Sequence, residues 1–242
     1  MTGQAGGTAQ APQPEENRHA GTARVTLEQV RAHPRVRALI EAANRHLAAQ
    51  GYTEHGFRHA ELVARVGFNV MTHLGRPRRE AELAEVAGYL HDVGNAICRR
   101  GHGPLGAVLA CGILEELGMP AQEVATVAGA VGNHEEEGGY PVNPVSAALI
   151  LADKSDVHRT RVQNPDPARF DVHDRVNYAA RRSFLRVDAQ ARCVVLELSI
   201  DTDICSTMEY FEIFLGRMLM CRRAAEFLGL RFQLAINGTV LL

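Results

Sequence analysis

The sequence predicts a mainly α-helical protein: a helical bundle with a small strand–helix–strand appendage at its C-terminal end. Three observations predict it. From about residue 26 to residue 157 apolar residues recur every three or four positions, the period of helices that bury one face. Proline and glycine punctuate that pattern, with Pro34, Pro77, Pro104, Pro120 and Pro144 at starts and Gly51, Gly75 and Gly118 at ends. That asymmetry marks helix termini. Beyond residue 190 short runs such as Cys193-Val194-Val195-Leu196 replace it, as expected of strands.

Each element follows in order. Residues 1–22 are rich in Gly, Gln, Ala and Pro and lack periodicity, so a disordered tail is expected. Thr26 is a candidate N-cap, and helical pattern runs past a helix start at Pro34 through Val36, Leu39, Ile40, Ala43 and Leu47 to Gly51. A second helix is predicted over 57–74 and a third from Pro77 to residue 90 or 91. A loop rich in Gly and Arg follows over 94–103. Pro104 opens the next helix, and Pro120 opens another through Val124, Val127 and Val131 to His134. After a polar loop over 135–143, Pro144 opens a helix through Ile150 to about residue 157. A turn region at 164–167 precedes a helix expected over 173–185. The appendage reads as a strand over 193–200, a helix over 207–228, a strand over 231–236 and an Asn237-Gly238 turn. The domain limits are then 1–22 for the tail, 23–187 for the helical domain and 188–242 for the appendage.

Composition narrows the function classes. The chain has 242 residues, is 46% hydrophobic and carries a formal net charge of -2. No basic excess points to a nucleic acid polymer or an anionic membrane. The apolar stretch 145–152 is too short to span a bilayer, and the first twenty residues hold no apolar signal core. The five cysteines, Cys98, Cys111, Cys193, Cys205 and Cys221, form no CxxC pair, as in reduced compartments. A cytoplasmic protein is expected. Lys154 is the single lysine.

Ligand-type residues fall on the apolar stripes. His59 shares a helical face with Val63, Val66 and Val70; His91 shares one with Ala84, Ala87 and Gly88. His134 follows Val124, Val127 and Val131, and Asp153 follows Ala147 and Ile150. One such histidine alone is more often a hydrogen-bonded core residue. An ionised carboxylate aimed at a core is different, because its burial demands a cation, a donor network or a metal. Imidazole and carboxylate together are ligands for Mn²⁺, Fe²⁺, Co²⁺, Ni²⁺ or Zn²⁺.

The order of these residues carries a resemblance. Tyr89-Leu90-His91-Asp92-Val93-Gly94, with His59 upstream and Ala152-Asp153-Lys154 downstream, resembles the HD superfamily of metal-dependent phosphohydrolases over roughly residues 50–160. Asn133-His134-Glu135 and Gly138-Gly139-Tyr140-Pro141 look like elements of its HD-GYP subgroup. His102-Gly103-Pro104 resembles a step found in di-metal members, diadenosine tetraphosphate hydrolases included. The resemblance implies an HD-type helical bundle. It also implies that His59, His91, Asp92 and Asp153 hold a first metal, and that His102 and His134 support a second with Asp92 bridging. One ion or two both stay open.

The chemistry implied is hydrolysis of a phosphate ester by metal-activated water. Asp92 is a candidate proton acceptor as well as a ligand. Lys154 is a candidate catalytic and phosphate-binding residue, with Arg99, Arg100, Arg159 and Arg161 as further phosphate contacts. The expected substrate is a nucleotide or another small phosphorylated metabolite. A phosphodiesterase for a cyclic or dinucleotide signal is the alternative. A non-catalytic, metal-bound sensing or assembly module is a second one, and the appendage offers a surface for a homodimer. His55, His158 and His173 read as solvent-facing, Glu135 as a candidate support for His134, and Met208, Met218 and Met220 as core or interface.

Overall fold

The computed structural model describes residues 24–241, so the expected tail over 1–22 lies outside the described residues. The helices are α1 (Leu27–Ala32), α2 (Pro34–Ala49), α3 (Phe57–His73), α4 (Arg78–Leu90), α5 (His102–Glu116), α6 (Ala121–Gly132), α7 (Pro144–Lys154) and α8 (Val172–Ala179). They are followed by strands β1 (Ala180–Asp188) and β2 (Cys193–Ile200), helix α9 (Thr207–Phe227), and strands β3 (Arg231–Ile236) and β4 (Thr239–Val240).

Local chemistry sets most boundaries. Thr26 and Gln29 form a capping box on α1. His33, placed before Pro34, is extended (φ -68°, ψ 120°) and separates α1 from α2, because a residue preceding proline avoids the helical region. Asn143 and Ser146 cap α7 reciprocally behind Pro144, and Ser206 and Glu209 do the same for α9; each box satisfies N–H groups that the first turn would otherwise leave unpaired.

Helix α7 is the axis of the molecule. Every residue from Val145 to Ala152 is buried, and α3, α4, α6 and α9 all pack on it. A helix apolar on all sides belongs inside. It delivers Asp153 and Lys154 at its C-terminal end. Helices α3 and α4 approach closely because Gly88 lies against the backbone of α3. A Cβ there would stand 2.7 Å from both N and Cα of Ala64, so only glycine fits.

The C-terminal sheet has the order β1-β2-β3-β4, antiparallel, parallel and antiparallel in turn. Helix α9 makes the crossover between the parallel pair. The β3–β4 turn places Asn237 and Gly238 at φ 51° and 83°, and the Asn237 amide pairs with both backbone groups of Ile200. One expectation is corrected here. The helix predicted over 173–185 ends at Ala179, and β1 takes the rest. Ser183, Leu185 and Val187 are half-buried while Arg182, Phe184 and Arg186 are exposed, the two-residue alternation of a strand. Antiparallel pairing with β2, from Ala180↔Ile200 to Asp188↔Cys193, overrode the local helical reading. The appendage thus has four strands around its helix.

Candidate metal centre

Four histidines and two aspartates converge between α3, α4, α5, α6 and α7. His59 projects from the first turn of α3, and His91 and Asp92 follow the last turn of α4. His102 begins α5, His134 lies just past α6, and Asp153 ends α7. His59, His91, Asp92, His102 and His134 are all buried, and the Asp153 side chain is 12% exposed.

The histidines point one nitrogen inward and tie the other down. His59 Nδ1 meets Asp156 Oδ2 at 2.6 Å, and His91 Nδ1 meets the Gly88 carbonyl at 2.8 Å. His102 Nδ1 meets Glu135 Oε1 at 2.8 Å and the Arg99 carbonyl at 3.0 Å; His134 Nδ1 meets the Val131 carbonyl at 2.6 Å. A proton donated from Nδ1 leaves the lone pair on Nε2. The inner Nε2 atoms stand close, 3.2 Å between His59 and His91 and 3.1 Å between His102 and His134. Such clustered lone pairs repel unless a cation sits among them.

Asp92 lies between two groups. Its Oδ2 is 3.1 Å from His91 Nε2 and 3.5 Å from His59 Nε2, on the side where Asp153 Oδ1 lies 3.3 Å from His59. Its Oδ1 is 3.2 Å from His102 Nε2 and 3.9 Å from His134 Nε2. Oδ2 is buried with no hydrogen-bond partner, although a buried carboxylate oxygen demands one. The sets His59, His91, Asp153 and His91, Asp92, His134 each gather their ligand atoms within 4.8 Å. This donor set could hold a metal ion, and the unpartnered oxygen fits that role.

The electrostatics call for positive charge. Burial lowers the pKa of His91, but Asp92 and Asp153 outweigh it and raise it to about 10. Burial would raise Asp92 and Asp153, yet the former is held well below the usual range by His91 and His102, the latter by Lys154, His59 and His91. His134 falls to about 3 through burial and the neighbouring His91 and His102.

The other predicted residues are placed as follows. Lys154 is buried, with Nζ 2.7 Å from Asp153 Oδ2 and 3.1 Å from Glu136 Oε1; these carboxylates keep its pKa raised against the pull of burial. Arg99 and Arg100 line a cleft of about 800 Å³ at the mouth of the site, beside Tyr52, Ile97, His102 and Glu135. Arg159 is turned away, donating to the Tyr178 carbonyl (3.0 Å) and stacking on that ring. Arg161 is buried behind the site, donating to the carbonyls of Glu54 and Asp156.

Several groups were not recognised from sequence. Asp156, 2% exposed, accepts from His59 and from Arg58 Nη2 at 2.7 Å. Its signal was an acid one turn beyond Asp153. His55 was expected to face solvent; it is buried, its Nδ1 on the Thr53 carbonyl (2.6 Å) and its ring edge-on to His59. Glu135 supports His102 and the Gly103 N–H rather than His134. Arg217 of α9 reaches Glu136 (3.1 Å), a contact between distant segments that nothing local announces. His173 is exposed and His158 half-buried.

The HD domain family matches residues 56–161, under half of the chain, and that stretch holds all six candidate ligands. That part of the chain is similar to HD domains, a class whose members are commonly metal-dependent hydrolases. No curated protein gives a significant match to the chain. Among the described residues no helix is long and apolar enough to cross a membrane.

Proposed function

We propose that this HD domain hydrolyses a phosphate ester of a small metabolite, with a nucleotide as the best-fitting substrate and two metal ions at work. The observation that carries the reading is Asp92, whose Oδ2 faces His91 and His59 while its Oδ1 faces His102 and His134. His59, His91, Asp92 and Asp153 would hold one ion, and Asp92, His102 and His134 the other. Ions bound there would supply an activated water near neutral pH and offset charge on the phosphoryl oxygens.

The remaining work falls to side chains. Asp156 and Glu135 hold the rings of His59 and His102 in their inward orientation. Lys154 grips Oδ2 of Asp153, leaving Oδ1 to face His59 and His91. Asp92 would take up the proton of the attacking water as well as hold the ions. Arg99 and Arg100 meet the phosphate from the cleft through charge-assisted hydrogen bonds. Exposed Tyr52 and Ile97 flank them and give a nucleobase an apolar seat. Elemental analysis of the purified chain together with phosphate release across a nucleotide panel tests this. Two equivalents of a transition metal and metal-dependent release are expected. Bound metal without turnover on mono-, di-, cyclic or dinucleotides would leave the sensing module as the better reading.

A further inference from the structure

A second cavity lies on the other side of α3, away from the metal-site cleft. It measures about 430 Å³ and lies, partly open, between α3 and the edge strand β1. That is a volume typical of small-molecule sites. The helix contributes Arg58, Leu62, Arg65, Val66 and Val70, spaced to share one face. The strand contributes Ser183, Leu185 and Val187, its half-buried face. Leu62, Val66, Leu185 and Val187 therefore line an apolar slot that nothing in the fold fills.

The charge around that slot has one sign. Arg58, Arg65 and Arg186 border it, and the single acid lining it, Asp156, is buried and already paired with Arg58 and His59. Arg186 is partly satisfied by Glu197 (2.8 Å). Arg65 is exposed and forms no ion pair among the described residues. An apolar slot with an unpaired guanidinium at its mouth suits a ligand with an apolar body and one anionic head. An uncharged amphiphile would leave Arg65 unanswered, and a bare anion would leave the slot unfilled.

We infer that the α3–β1 cavity is a binding site for a small amphipathic carboxylate, with its tail between Leu62, Val66, Leu185 and Val187 and its head on Arg65. The floor of the site carries Arg58, which holds Asp156, which in turn holds His59. Asp156 itself lines the cavity, so an occupant sits one hydrogen bond from His59 of the candidate metal centre.

The probe is sodium decanoate, titrated into the full-length protein by calorimetry below its micelle concentration, with decanol and acetate as comparison ligands. One saturable site for decanoate is expected, with acetate and decanol at least about tenfold weaker, in keeping with one charge-assisted contact plus apolar burial. Arg65→Glu, at an exposed position, and Val66→Trp, which fills the slot, should each weaken decanoate at least about tenfold. Circular dichroism of both variants shows whether they fold, and Arg65→Glu keeps the test decisive if the larger side chain does not. Binding of decanol equal to decanoate, or unchanged decanoate affinity in folded Arg65→Glu, overturns the assignment. So does sedimentation showing a dimer that Phe184→Glu dissociates, because a second copy would then cover the slot. Protein that binds vesicles containing decanoate but never the free carboxylate points to a membrane source and equally overturns a site for the free carboxylate.

Discussion

Asp156→Asn is the most informative single change at the candidate metal centre, because it keeps the shape of the side chain while removing its charge and turning one acceptor oxygen into an N–H donor. Asp156 is 2% exposed and its Oδ2 receives His59 Nδ1 at 2.6 Å. The same oxygen lies 3.6 Å from Arg161 Nε, and Arg161 is itself 2% exposed. At an effective dielectric constant of about 20 a pair at that separation is worth about 4–5 kcal/mol. That agrees with the roughly 3–5 kcal/mol lost when one partner of a buried pair is removed. Arg58 adds less, because its side chain is 36% exposed and water screens it. Arg161 keeps its backbone acceptors on Glu54 and Asp156, so about 3 kcal/mol is the expected loss of stability. His59 loses the carboxylate that fixes its ring, and metal affinity should fall about 10- to 100-fold, as for other partners of ligating histidines. Urea unfolding in excess chelator measures the first quantity, and metal titration against a competing chelator measures the second. Metal affinity within about twofold of the parent, in a folded variant, would refute the positioning role of Asp156. A stability loss under about 1 kcal/mol would refute the buried pair.

Other outcomes follow from the same geometry. His91→Ala and Asp153→Ala should abolish metal-dependent phosphate release while His173→Ala leaves it intact; equal losses in all three would show that the ligand set is misassigned. Lys154→Ala should lower kcat/KM on the order of ten- to a hundredfold, about 1.5–3 kcal/mol for a lost charge-assisted bond. Lys154→Arg should restore only part of that, since a planar fork replaces a compact ammonium between Asp153 and Glu136. Chelation should lower the melting temperature and re-addition of metal raise it, by about 4 kcal/mol of stability at a thousandfold excess over Kd; a melting curve indifferent to metal would count against binding to the folded state. Gly94→Ala should displace the start of α5, because a Cβ there would lie 2.6 Å from Gly106 N and against the His102 carbonyl. Its metal content, measured by elemental analysis, should fall from about two equivalents toward about one.

The sequence by itself determined the parts whose physics is local. Helix starts follow from Thr26, Pro34 and Pro144, since capping and φ restriction act within one turn. The apolar stripes under His59, His91 and His134 were legible because a 3.6-residue period shows which side chains share a face. Strand β3 matched its expected limits, and α9 ended within one residue of them.

Only the tertiary structure decided the rest. Residues 180–185 carry apolar spacing compatible with either period, and pairing with β2 made them a strand. The split of Asp92 between two imidazole pairs depends on where the starts of α3 and α5 and the ends of α4 and α6 meet in space. His55 and Asp156 are ordinary polar residues in the linear chain; burial against His59 makes them part of the centre. Lys154 was an open cation in sequence and is a neutralised one in the fold, because Glu136 arrives from another loop. Charge pairing and burial are properties of distances between remote segments, and a one-dimensional pattern does not contain those distances.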